Sequence, residues 1–151
     1  MKKYKVLAAL ALLVIAMQFF PSDLPETEPE NQKSITFSGI ADEQVISILK
    51  KSCFDCHSEQ TVFPWYSKVK PISWLLADHI REGREHLNFS AWQDYSKREQ
   101  VGHIEDIVEE SASGSMPLKS YTLVHKDSRL DAGKIKTLQE WGVEATASLF
   151  N

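Results

Sequence analysis

The chain has 151 residues, 42% of them hydrophobic and 25% charged, with a formal net charge of −4. That composition fits one globular domain with a modest core and excludes a long disordered polymer. Beyond residue 20 the chain carries 14 basic and 21 acidic side chains, a balance poorly suited to nucleic acid, which favours basic patches, and suited instead to steering a basic partner.

Lys2, Lys3 and Lys5 precede the apolar run VLAALALLVIAMQFF, Val6 to Phe20, in the charge order of an export segment. The rest of the chain is therefore expected outside the cytoplasm. Gln18-Phe19-Phe20-Pro21 offers no small-x-small cleavage pattern, so residues 4–20 read as a retained membrane anchor, with release after signal cleavage as the alternative. As a helix, Tyr4 to Phe20 would rise about 26 Å, near the lower limit for spanning a bilayer. No cysteine lies near the N-terminus to carry a lipid. Residues 21–33, PSDLPETEPENQK, combine three prolines with four acids and read as a linker ahead of a domain over 34–151.

From Ser34 onward the periodicity is helical, with few alternating runs that suggest strands. Asp42 is placed to cap a helix whose Val45, Ile48 and Leu49 share one face. The proline-punctuated aromatic stretch TVFPWYSKVKP comes next, then a second helix from near Ser73 through ISWLLADHIREGREHL. NFSAWQDY reads as a connection. Ser96 and Glu99 form a capping box for a third helix with Val101, Ile104, Ile107 and Val108 on one face, closed by Gly114. SMPLKSYTLVHKDSRL has no sustained period and reads as an extended loop. Asp131 then caps a last helix with Ile135, Leu138, Trp141 and Ala145 as its stripe; Gly133 in its first turn is a poor helix former.

The chain's only two cysteines stand in Cys53-Phe54-Asp55-Cys56-His57, the C-x-x-C-H pattern for attaching c-type haem. Two cysteines three apart at a helix end project to one side and can form thioethers with the two vinyl groups of a porphyrin. The adjacent histidine can turn its imidazole onto the iron. Export agrees with this, because haem is attached to such proteins outside the bacterial cytoplasm. Three other readings compete. A redox pair needs a thiolate-stabilising helix N-terminus, usually in a βαβ setting. Zinc needs a second ligand pair, whereas His79, His86, His103 and His125 are scattered singly. A structural disulfide here would close only a tiny loop and constrain the unfolded chain very little.

For the sixth position of the iron, Met116 is the only methionine outside the export segment. Pro117 fixes its own φ and pushes Met116 towards an extended conformation, holding the thioether in a stiff loop; the competing role is that of a core filler. The four histidines are the rival ligands, His79 and His86 lying seven apart on one helix face.

The order of parts, helix, C-x-x-C-H, middle helices, methionine loop and final helix, resembles small soluble cytochromes c. That resemblance implies an all-α domain wrapped around one haem, its first and last helices packed together, with Phe63, Trp65, Tyr66, Trp74 and Trp92 helping to wall the porphyrin. CFDCHSEQTVFPWYSKVKPISWLL, REGREHLNFSAW and MPLKSYTLVH together resemble the bacterial haem-binding domain family of short exported or membrane-anchored proteins, over about Val45 to Trp141. The family implies covalent haem c through Cys53 and Cys56 with His57 on the iron. The expected function is single-electron transfer with His57 and Met116 as axial ligands, because a thioether ligand favours ferrous iron. It would take place on the periplasmic side of the cytoplasmic membrane, with redox proteins as partners, and no catalytic side chains are required. The alternative is a haem-based sensor or peroxidase-like enzyme with an open or weakly filled distal site, where Arg81, Arg84 and His86 would do the polar work. Arg81, Arg84 and His86 can also be read as a solvated helix face or as partners of the haem propionates.

Overall fold

The computed structural model describes residues 2–150. It is all-helical, with no strand among the described residues. Among the described residues seven α-helices follow one another: α1 (Lys2–Met17), α2 (Glu43–Ser52), α3 (Phe54–His57), α4 (Ile72–His86), α5 (Lys97–Ser113), α6 (Lys119–Val124) and α7 (Ala132–Phe150).

Local chemistry sets several of these boundaries. Asp42 Oδ1 accepts from the Val45 amide at 2.8 Å and so caps α2. Ser96 and Glu99 make the reciprocal capping box at the start of α5. Gly114, at φ 74°, takes the left-handed conformation that ends α5. Asp131 Oδ1 accepts from the Lys134 amide at 2.9 Å, which starts α7 despite Gly133.

The core lies between α2, α5 and α7. Val45, Ile48 and Leu49 from α2, Ile104 and Ile107 from α5, and Leu138, Trp141 and Ala145 from α7 are buried in one cluster. Each large aliphatic side chain there contributes about 1.5–3 kcal/mol by leaving water. Trp141 also donates from Nε1 to the Ile40 carbonyl at 2.9 Å, so its polar edge is satisfied within the core. The last helix packs on α5 and also on α2. The segment read as a connection is a 3-10 helix, Phe89–Asp94, which buries Phe89 and Trp92 in the same core.

One other expectation needs correction. Within SMPLKSYTLVHKDSRL the chain forms α6 and a 3-10 turn at Lys126–Ser128; six residues that bury nothing leave no periodic signal. The stretch over 21–33, read as a linker, has no helix and runs as a strap against the domain. Trp74 Nε1 donates to the Pro21 carbonyl at 2.9 Å and Arg84 Nη1 to the Glu26 carbonyl at 2.8 Å, while the Arg81 guanidinium reaches the Asp23 carbonyl. Farther along, the Glu28 amide donates to the Glu59 carbonyl at 2.8 Å, Lys50 pairs with Glu30 at 3.0 Å, and Gln93 Nε2 donates to the Gln32 carbonyl at 2.8 Å.

The N-terminal helix stops at Met17, and Gln18 to Phe20 leave it through tight turns. None of its residues is buried. Among the described residues no helix is long and apolar enough to cross a membrane.

Candidate functional site

Cys53 joins α2 to α3. Its φ of −127° breaks the helix, its amide still closes α2 on the Leu49 carbonyl at 2.8 Å, and its own carbonyl accepts from the Cys56 and His57 amides at 3.1 and 3.0 Å. The C-x-x-C-H segment is therefore one separate helical turn. Ser58 Oγ donates to the Phe54 carbonyl at 2.8 Å and ends it, while the Phe54 ring stacks on Phe89 with centroids 4.9 Å apart and anchors the turn in the core.

The turn rests against α4 at Gly83. A Cβ at residue 83 would stand 2.7 Å from the Cys56 carbonyl oxygen, so only a residue without a side chain lets the two backbones meet this closely. Past this crossing, His57 Nδ1 lies 3.2 Å from the Leu87 carbonyl. With Nδ1 donating there, Nε2 carries the lone pair that a metal would take. Burial holds the His57 pKa below its ordinary value, the Leu87 carbonyl opposing this, and the ring is thus kept neutral, as a ligand must be.

Both cysteines are free thiols. Burial, with the neighbouring Cys56 adding to it, pushes Cys53 up to about 12, and burial together with Asp55 pushes Cys56 up to about 11. A redox pair needs the opposite shift. Among the described residues no group of three or more His, Cys, Asp or Glu side chains is placed to hold a metal ion.

A cavity of about 590 Å³ opens beside this turn, within the range of roughly 300–1,000 Å³ typical of ligand pockets. Cys53, between α2 and α3, lines it with Cys56 and His57 from α3, and Met116 and Pro117 line it from the loop after α5. The sequence-predicted residues thus share one cavity. Met116 is 37% exposed, which does not fit a core filler, and its amide donates to the Glu110 carbonyl at 3.1 Å. The Met116–Pro117 peptide is cis. Ser52 lines the cavity as well, and its buried Oγ has no hydrogen-bond partner among the described residues; such an orphan fits a ligand that brings an acceptor. Volume, thiols, neutral imidazole and thioether together fit haem.

The aromatic wall differs from expectation. Phe89 and Tyr121 line the cavity, and none of Phe63, Trp65, Tyr66, Trp74 or Trp92 does; Trp92 is core and Trp65 is 78% exposed. His79, His86 and His103 do line it. His125 does not, because its Nε2 meets the Tyr66 hydroxyl at 2.8 Å and its ring stacks on Tyr121.

Arg81 and Arg84 also lie off the cavity wall. Arg81 pairs with Asp78 at 3.1 Å. Arg84 donates from Nε to the Ser58 carbonyl at 2.8 Å and from Nη2 to Thr61 Oγ1 at 3.1 Å, holding the segment after the cysteines against α4.

Sequence reasoning missed one more contact. Tyr121 donates to Asp55 Oδ2 at 2.6 Å, linking α6, which follows the methionine loop, to the residue between the two cysteines. Burial, and then this bond to Asp55, raise the Tyr121 pKa, so the phenol stays a donor. A tyrosine five residues after a Met-Pro offered only a faint signal, since its partner lies 66 residues away.

No curated protein and no solved structure matches the chain. The haem-binding domain family model, however, matches residues 12–144, a span that takes in the cysteines, the histidine, the methionine loop and every element lining the cavity. The chain belongs to the haem-binding domain family.

Proposed function

We propose that this domain attaches one c-type haem through Cys53 and Cys56 and passes single electrons outside the cytoplasm, with His57 and Met116 as the iron's axial ligands. One observation carries this reading: Cys53, Cys56 and His57 of the C-x-x-C-H turn share one cavity with Met116, which lies far along the chain. The haem would supply a one-electron iron couple. The chain supplies the rest: His57 is oriented through Leu87, the cysteines are kept as thiols for thioether formation, and Met116 is offered from a loop tied to Glu110.

The N-terminal lysines and apolar helix support a place on the periplasmic side of the cytoplasmic membrane, with α1 seated in the bilayer and redox proteins as partners. Release into the periplasm after cleavage is the alternative. A haem-based sensor or peroxidase-like enzyme is the second functional reading. His79, His86 and His103 on the cavity wall favour it, while Arg81 and Arg84, engaged elsewhere, do not.

An absorption spectrum decides between the two functions. Protein made with the haem-attachment machinery is expected to show low-spin c-type haem and, when oxidised, the weak near-infrared sulfur-to-iron band. Met116→Ala should abolish that band, and Cys53→Ala should weaken haem retention in denaturant. A high-spin spectrum that responds at once to carbon monoxide would reverse the choice.

A further inference from the structure

The N-terminal helix is apolar around its whole circumference beyond Lys5 and buries none of its residues against the domain. Surface of that kind is stable only in an apolar medium. Its exit is nevertheless fixed to the domain. Gln18 Nε2 donates to the Lys70 carbonyl at 3.1 Å, and Gln18 Oε1 accepts from the Lys70 amide at 3.0 Å. Trp74 then holds Pro21, and the strap continues along α4. The end of this helix is therefore tied to the domain at Lys70 and Trp74.

Trp65, Val69, Ile72 and Leu75, which flank Lys70 and Trp74 in sequence, are exposed, as are Phe19 and Phe20 next to Gln18. Residues 61–77 include Lys68 and Lys70 and no acid, although acids outnumber bases in the domain as a whole. Tryptophan at a water–lipid boundary and lysine beside anionic headgroups are both favourable. The 16 residues of α1 rise about 24 Å, less than the roughly 30 Å hydrocarbon core. So short a helix draws its flanking residues towards the bilayer.

We propose that Trp65, Lys68, Val69, Ile72 and Leu75 form a face that lies on the lipid surface of the membrane holding α1. This rests on the N-terminal anchoring given above and adds the domain's orientation. The exposed stripe of α4 at Ile72 and Leu75 continues at helical spacing to His79, Glu82 and His86, which line the cavity. Leu75 and His79 are about 6 Å apart along the axis at ~1.5 Å per residue, so the near rim of the cavity stands one turn from the lipid.

The test uses the full haem-loaded chain in vesicles of phosphatidylethanolamine and phosphatidylglycerol doped with a lipid that carries a photoactivatable diazirine near its headgroup. After irradiation, adducts are mapped by mass spectrometry. Adducts are expected within residues 2–20 and within 65–75. Adducts within 2–20 alone overturn the docking face and leave the anchoring intact; adducts in neither overturn both. The double variant Ile72→Asp/Leu75→Asp changes only exposed positions. It should lose the 65–75 adducts and keep those at the N-terminus, and unchanged adducts at 65–75 also overturn the proposal.

Discussion

Replacing Gly83 by alanine sets two effects of opposite sign against each other. Alanine in a helix interior is favoured over glycine by about 1 kcal/mol. At residue 83 the added Cβ would meet the Cys56 carbonyl oxygen at 2.7 Å, a backbone atom that cannot swing aside. Forcing a methyl into packed structure costs about 1–3 kcal/mol, and an immovable neighbour puts this case in the upper half of that range. The net expectation is a loss of about 1–2 kcal/mol, with α4 displaced from α3. Gly102→Ala is the control, because a Cβ there meets nothing within 4 Å and should gain about 1 kcal/mol. Urea unfolding of the haem-loaded variants, followed by far-ultraviolet circular dichroism, reads the difference. If Gly83→Ala gains as much as Gly102→Ala, the close crossing of α3 and α4 is not what the helix turn depends on.

Two further outcomes are expected. Tyr121→Phe leaves Asp55 Oδ2 without its donor and should cost about 1.5–3 kcal/mol, the range for hydrogen bonds to charged groups; imidazole should then displace Met116 more readily, read from loss of the near-infrared band, and an unchanged titration would show that α6 does not hold the methionine loop. At Glu99, hydrogen bonds from Ser96 hold the carboxyl below its ordinary value, so its stabilising contribution is present above the unfolded pKa and is lost as pH falls through the lower folded value. Glu99→Gln should therefore flatten the decline of stability below about pH 5, as followed by thermal unfolding at stepped pH, and a decline parallel to the wild type would refute it.

Much of the helical order was legible from local signals. Asp42, the Ser96–Glu99 box, Gly114 and Asp131 act within three or four residues of the helix ends they define. The C-x-x-C-H motif and the isolated Met116 pointed to the two walls of one cavity because their chemistry is unusual in such a chain. What sequence could not show depends on partners distant in the chain. Gly83 looks like a weak point in a helix until Cys56 is laid against it. Arg84 looks solvated until the Ser58 carbonyl and the strap arrive. The aromatic residues nearest the motif in sequence are not the ones that line the cavity, since Phe89 and Tyr121 are brought in by the fold.

The strap is held largely through its own backbone carbonyls, at Pro21, Asp23, Glu26 and Gln32. Any residue type supplies a carbonyl, so substitutions along this stretch leave most of its bonds in place. An insertion or deletion, by contrast, shifts every later carbonyl out of reach of its donor. Between relatives, this segment should therefore vary freely in composition while keeping its length, the reverse of how an idle tether drifts.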